Sequence, residues 1–256
     1  MKVIVTGSEG FIGKVLCSTL KERGVEVVEV DTKIGRDAKD IGQYLKSGDI
    51  DCVFHLAAQT SVFNDDIQQI KYDNIDVFIS VVGACNEYGV KLVYASSSTA
   101  NRCNTTSMYG ISKYFDEQYA SVYAKNATGV RLHNIYGPNP RQGTLLWHLM
   151  NKDKVTLYRN GENIRCFTYI RDAVEGLIFA HSINHKLVNL VNNEPMTIYE
   201  FAKTVKRYHS FEIELISDFH NFDNLEQKVD TSLFTLPLPY TSVAEGIRMI
   251  FNRHKE

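Results

Sequence analysis

Short apolar runs recur along the chain at residues 2–6, 26–31, 52–56, 91–96, 128–132 and 187–191. Several are rich in β-branched residues, as strands covered on both faces are. Between them, apolar residues fall at helical spacing over 11–23, 65–88, 109–125 and 172–182, each stretch opened or closed by Ser, Asp or Gly. Strand and helix in alternation predict an α/β fold built on a doubly wound parallel sheet. The alternation fails over 138–167 and again after residue 192, where short polar pieces bearing Gly and Pro replace it. Those stretches predict a smaller second lobe over the carboxyl ends of the strands, where ligands of such sheets bind.

Composition narrows the function. With 256 residues, 44% hydrophobic and 23% charged, the chain suits a globular protein with a sizeable core, which excludes disordered, collagen-like and disulfide-scaffold classes. A formal charge of -2 leaves no basic footprint for nucleic acid or an anionic membrane. No apolar stretch reaches the ~20 residues of a bilayer helix, and the run that opens the chain is too short for a signal-peptide core. Cys17, Cys52, Cys85, Cys103 and Cys166 are odd in number, scattered and without a C-x-x-C pair, which predicts reduced thiols and a cytoplasmic setting. No metal site is expected: His181 and His185 stand at ligand spacing, but no acid completes them.

Thr6-Gly7-Ser8-Glu9-Gly10-Phe11-Ile12-Gly13 follows the first run directly and opens the first helix. In such a loop the first glycine permits a tight turn and the second lets the main chain approach a pyrophosphate. The third lets helix and strand pack closely, with the phosphates at the positive helix end. Asp31 ends the second run, where a dinucleotide site needs an acid for the adenosine ribose. Its carboxylate would repel a 2′-phosphate and favours NAD over NADP, a preference that Lys33 and Arg36 soften.

Tyr109 and Lys113 stand four apart at the start of a predicted helix and so project from one face. They follow Tyr94-Ala95-Ser96-Ser97-Ser98, whose serines leave the fourth run at the rim where a nicotinamide would lie. A lysine ammonium and an oxidised nicotinamide both favour phenolate, so a tyrosine there can accept a hydroxyl proton as hydride leaves. A serine hydroxyl can hold the same oxygen. Tyr199 and Lys203 repeat the spacing without a partner serine and read as a solvated face.

Further motifs join these: His55-Leu56-Ala57-Ala58, Asn74, the run from Arg131 through Asn134 to Tyr136-Gly137-Pro138, and Arg165-Cys166-Phe167 ahead of Asp172. Over nearly its whole length the chain resembles the extended short-chain dehydrogenase/reductase family, the NAD-dependent nucleotide-sugar epimerases and dehydratases, of the UDP-galactose 4-epimerase kind. The resemblance implies a Rossmann-type sheet with a trimmed C-terminal substrate lobe. Residues 1–134 and 172–192 would form the dinucleotide-binding domain, and 135–171 and 193–256 the nucleotide-sugar lobe. It implies NAD held by Gly7, Gly10, Phe11, Ile12, Gly13, Asp31, Leu56, Ala57, Ala58 and Lys113, and catalysis by Ser98, Tyr109 and Lys113. Asn134 and Arg165 would hold the diphosphate of a nucleoside-diphosphate sugar, with Tyr158 stacked on the base and Asn163 nearby. It also implies a homodimer through helices 65–88 and 109–125, with Ile70, Val77, Phe78, Val81 and Tyr114 as an apolar seam.

Two departures refine this expectation. Dehydratases of the family follow the strand hydroxyl with Asp and Glu, whereas Thr99 and Ala100 stand after Ser98 here and supply no second acid and base. The interval from Ser98 to Tyr109 is about half the family's usual length, and it brings Arg102 and Cys103 near the site. The expectation is an epimerase that oxidises sugar carbon 4 transiently and returns the hydride. A dehydrogenase or 4-keto-reductase with net turnover, a dehydratase-related enzyme without the acid pair, and an NAD-binding regulatory protein remain as alternatives.

Overall fold

A computed structural model describes residues 1–62, 64, 66–219 and 224–252. Seven parallel strands form the central sheet: β1 (Lys2–Thr6), β2 (Glu26–Val30), β3 (Cys52–His55), β4 (Lys91–Ser97), β5 (Ala127–Leu132), β6 (Leu187–Leu190) and β7 (Phe234–Thr235). They lie in the order β2-β1-β3-β4-β5-β6-β7, so the chain changes direction across the sheet between β1 and β3. A crevice opens at the carboxyl ends of strands flanking such a switch point. The six predicted strands are all present. The seventh, β7, falls in the stretch read as second lobe, yet it pairs with β6 at Val188 and Asn189.

The longer helices are α1 (Phe11–Glu22), α2 (Val77–Tyr88), α3 (Met108–Tyr123), α4 (Ile170–His181), α5 (Ile198–Lys206) and α6 (Val243–Asn252). Strand alternation sends Val3 and Val5 to one face of the sheet, where they meet Leu16 and Leu20 of α1 and Val174 and Leu177 of α4. Ile4 points to the other face, against Phe78 and Val81 of α2. Both faces are thus covered, as a doubly wound sheet requires. A third cluster of buried side chains includes Leu149, Phe167, Phe201 and Ile247.

Three features depart from the sequence reading. The long helix expected over 65–88 is broken in type: Ile67–Ile70 is α-helical, Lys71–Asp76 is a π-helical turn, and α2 follows; Asp65 lies outside the described residues. The stretches read as irregular contain α5, α6 and a helix at Leu145–Asn151. Third, of the residues read as an apolar seam, Val77, Phe78 and Val81 are buried in the core of their own sheet and Ile70 is also fully buried; Tyr114 is half-buried, its hydroxyl engaged by Arg102. No described helix is long and apolar enough to cross a membrane.

One buried ion pair ties the layers together behind the crevice. Arg131 of β5 donates from Nε and Nη2 to the two carboxylate oxygens of Glu117 on α3, both at 2.7 Å. Ser96 of β4 donates to the same carboxylate at 2.6 Å, and Arg131 Nη1 reaches Asp230 at 2.9 Å. Arg131 and Glu117 are almost wholly buried, so removing one partner strands the other charge away from water. Arg131→Met is therefore expected to lower unfolding free energy by about 3–5 kcal/mol in a urea titration; a loss below about 1 kcal/mol would show that the pair does not hold the layers together.

Candidate active site

The crevice at the β1/β3 switch point is a cavity of about 850 Å³. Gly7 turns the chain at the end of β1 with φ +70°, and a Cβ there would sit 2.7 Å from the amide nitrogen of Ala57. A Cβ on Gly13 would overlap the carbonyl oxygen of Gly7, so the start of α1 can sit against the loop only with glycine at that place. Gly10 is the N-cap of α1 and borders the cavity. This bare main chain at a helix N-terminus is a cradle for a diphosphate. Phe11, Ile12, Asp31, Leu56, Ala57 and Ala58 line the same cavity.

Asp31 is fixed by main-chain donors. Its two carboxylate oxygens accept from the amides of Lys33 at 2.9 Å and Glu9 at 3.0 Å, which ties the acid to the glycine loop. Asp37 and Asp73 line this end of the cavity too, with Lys33 and Arg36 beside them. Burial, and then the charge of Asp37, pushes the Asp73 carboxyl above its ordinary range. The sequence reading did not include Asp37 or Asp73; neither stands in a motif, and the fold alone brings them here.

At the other end, α3 presents Tyr109 and Lys113 to the cavity. Ser107 caps the helix by accepting from the Gly110 amide at 3.2 Å. Gly110 lets the helix lie against the turn after β4, since a Cβ there would stand 2.9 Å from the carbonyl oxygen of Thr99. Asn74, in the π-helical turn, accepts from the Gln59 amide at 2.7 Å and donates to Ser112 of α3 at 2.8 Å. It thereby locks the His55-Leu56-Ala57-Ala58 loop to the helix that carries Lys113. Lys113 is buried, its ammonium 3.1 Å from the Asp116 carboxylate. His55 lies behind, with Nδ1 2.7 Å from the Thr6 hydroxyl, and burial together with the Lys113 charge pushes its imidazole down to about 3. It is neutral at physiological pH.

Of the three serines that end the fourth run, Ser96 and Ser97 border the cavity. Strand β4 ends at Ser97, whose Oγ accepts from the amide and hydroxyl of Thr99 at 3.2 and 2.8 Å. With both lone pairs engaged, its O–H is the group left to donate, and Ser97 borders the cavity. Ser98 opens the following 3₁₀ turn. It is buried, its carbonyl accepts from Asn104 at 3.0 Å, and it does not border the cavity.

The residues read for the nucleotide sugar separate in the same way. Asn134 borders the cavity in a left-handed conformation and donates to Gln227 at 2.8 Å. Arg165 does not border it: its buried guanidinium donates to the carbonyls of Ile164 at 2.7 Å and Asn224 at 2.8 Å. The physical reason is the stretch 224–230, which runs alongside the strand Ile164–Cys166 and uses Arg165 as its anchor. The same stretch exchanges two hydrogen bonds between the Asn104 side chain and the Lys228 main chain, pinning the short loop after β4. Tyr158 is partly exposed away from the cavity. Arg141, which the sequence reading passed over, lines the cavity and donates to Thr60 across it. Among the described residues no group of His, Cys, Asp and Glu could hold a metal ion.

Comparison with known proteins agrees with this architecture. Protein CapI of Staphylococcus aureus is 23% identical over all of this chain and 99% of its own length. Among solved structures, MoeE5 in complex with UDP-glucuronic acid and NAD superposes with a TM-score of 0.86 at 24% identity, covering 100% of both chains. The UDP-glucose 4-epimerase of Thermotoga maritima with UDP-glucose does so with the same TM-score at 22% identity, again over 100% of both. These likenesses are of fold. The model of the NAD dependent epimerase/dehydratase family matches residues 3–190, and the chain belongs to that family.

Proposed function

We propose that the protein is an NAD-dependent nucleotide-sugar 4-epimerase in which Tyr109 is the proton acceptor, Lys113 its charge partner and Ser97 the hydroxyl that holds the reacting oxygen. The observation that carries this reading is that one cavity is bordered by the glycine cradle and Asp31 at one end and by Ser97, Tyr109 and Lys113 at the other. The glycine loop would hold the diphosphate of NAD and Asp31 its adenosine ribose, while Lys113 reaches the second ribose. NAD supplies the acceptor that takes hydride from sugar carbon 4 and gives it back.

The chain's own groups do the rest. Ser97 directs its free O–H at the sugar hydroxyl oxygen and fixes it beside Tyr109. The positive charge of Lys113 favours phenolate over phenol, so Tyr109 takes the hydroxyl proton during oxidation and returns it during reduction. An elimination of water would need a further acid and base beyond the strand serine. Ser98, Thr99 and Ala100 stand there, all buried and none a carboxylate, which favours epimerisation over dehydration.

Asn134, at the rim, is the residue placed to meet the substrate diphosphate, and Arg141 stands at the same mouth. Arg165 is read as the anchor of the stretch 224–225 and Tyr158 as a surface residue. Five free cysteines, four of them buried, fit a reducing cytoplasmic setting.

We also propose a homodimer, through a different face from the seam expected. On α3, Ile111, Phe115, Tyr119 and Val122 follow helical spacing, with Ile111 and Val122 exposed. On α2, Gly83 leaves open space above the helix. These residues are the surface assigned to a second copy.

Purified protein incubated with UDP-glucose, UDP-glucuronic acid and UDP-N-acetylglucosamine should invert the sugar at carbon 4 without releasing NADH, as followed by proton NMR and absorbance. Stoichiometric NADH would identify a net dehydrogenase instead. Tyr109→Phe should lower kcat by about 10²–10⁴-fold while NAD stays bound. Ser97→Ala should cost at least about tenfold, and Ser98→Ala should turn over like the parent; the opposite ranking of the two serines would reject the assignment. In sedimentation the parent should run as a dimer at micromolar concentration and Val122→Glu as a monomer. A monomeric parent excludes the interface.

A further inference from the structure

Asp116 has no part in the chemistry assigned so far, yet it is paired with Lys113, which lines the site. It falls three residues after Lys113 and seven after Tyr109 on α3, so all three share one face of the helix. Its side chain is wholly buried, one carboxylate oxygen lies 3.1 Å from the Lys113 ammonium, and the other has no hydrogen-bond partner among the described residues. A carboxylate so placed is expensive to desolvate and is held there by the ammonium alone.

We propose that Asp116 is a positioning residue that holds the Lys113 ammonium in the cavity wall and offsets its charge, so setting how strongly Tyr109 accepts a proton. This rests on the epimerase reading above. An enzyme that oxidises and then reduces in one cycle needs a tyrosine that gives its proton back as readily as it takes it. An uncompensated lysine would favour the phenolate throughout.

The neighbouring charges leave this task to Asp116. On the same helix, Glu117 is tied up in its bidentate pair with Arg131 of β5. Tyr94 of β4 is held neutral because burial, followed by the charges of Glu117 and Asp116, pushes its phenol upward. His55 of β3 is neutral for the reason given above. Burial pushes the Asp116 carboxyl up to about 6 against the opposing pull of Lys113.

The test is an ultraviolet titration of tyrosinate in the NAD-loaded protein, with Tyr109→Phe as the blank that isolates Tyr109. Seven helical residues separate Tyr109 from Asp116 by roughly 10 Å along the axis. At that range, removing one negative charge should move the Tyr109 midpoint to lower pH by about one unit in Asp116→Asn. Asp116→Glu, which keeps the charge, should stay close to the parent. An unchanged midpoint in Asp116→Asn, a shift to higher pH, or equal shifts in both variants would overturn the proposal, since a merely structural residue gives one of those results. Should Asp116→Asn fail to fold, Asp116→Ser carries the same expectation. The titration needs no sugar substrate. A midpoint shift without turnover would therefore reject the epimerase reading and keep the Asp116 assignment, whereas turnover without a shift would do the reverse.

Discussion

The bidentate pair between Arg131 and Glu117 is the constraint on which the site depends. It joins β5 to α3 in the buried space behind the crevice, and it recruits Ser96 of β4 and Asp230 of the C-terminal stretch to the same centre. A helix lying on a sheet is free to slide or roll by small amounts when only apolar side chains meet. A fork of two parallel hydrogen bonds at 2.7 Å removes that freedom, because guanidinium and carboxylate fit in one plane and one register. With α3 fixed about its axis at Glu117, the face one and two turns earlier is fixed as well. That face carries Lys113 and Tyr109. The pair stabilises little by itself in such a buried place, and its value is the geometry it enforces.

A second set of contacts holds the opposite wall. Asn74 bonds both the Gln59 main chain and Ser112, and just before Gln59 the main chain of Leu56 and Ala57 lies against Gly7. The glycine cradle and the tyrosine-bearing helix are therefore positioned by separate polar clamps on either side of the switch point. The short loop after β4 is compact for a related reason: the buried Asn104 binds Ser98 and Lys228, so the chain closes the site edge with few residues.

Much of this was legible in the sequence because its signals are local. The glycine spacing, the acid at the end of β2 and the four-residue step from Tyr109 to Lys113 are each set by turn or helix geometry, and the cavity gathers all of them. The rest depends on where elements end and on distant segments. The choice between Ser97 and Ser98 depends on where β4 stops and the 3₁₀ turn begins, a boundary set by Thr99 bonding back to Ser97. Arg165 stands in a local motif, and one of its partners, Asn224, lies about sixty positions later, which no local pattern reports. The lobe helices were hidden by short length, although Thr197 and Glu200 form a capping box ahead of α5 and Val243, Ile247 and Ile250 repeat at helical spacing in α6. A helix that is apolar on two sides does not reveal in its sequence which side meets its own sheet, and here Val77, Phe78 and Val81 do.

The central claim is that the cavity sets an oxidised nicotinamide and a sugar hydroxyl side by side against Tyr109 and Ser97. A crystal structure of the Tyr109→Phe protein with NAD and the nucleotide sugar tests it most directly. The account predicts sugar carbon 4 about 3–3.5 Å from the nicotinamide ring carbon that accepts hydride, with the sugar hydroxyl on Ser97 Oγ and facing the ring edge of residue 109. A nicotinamide lodged away from α3, or a sugar that meets neither side chain, would contradict it.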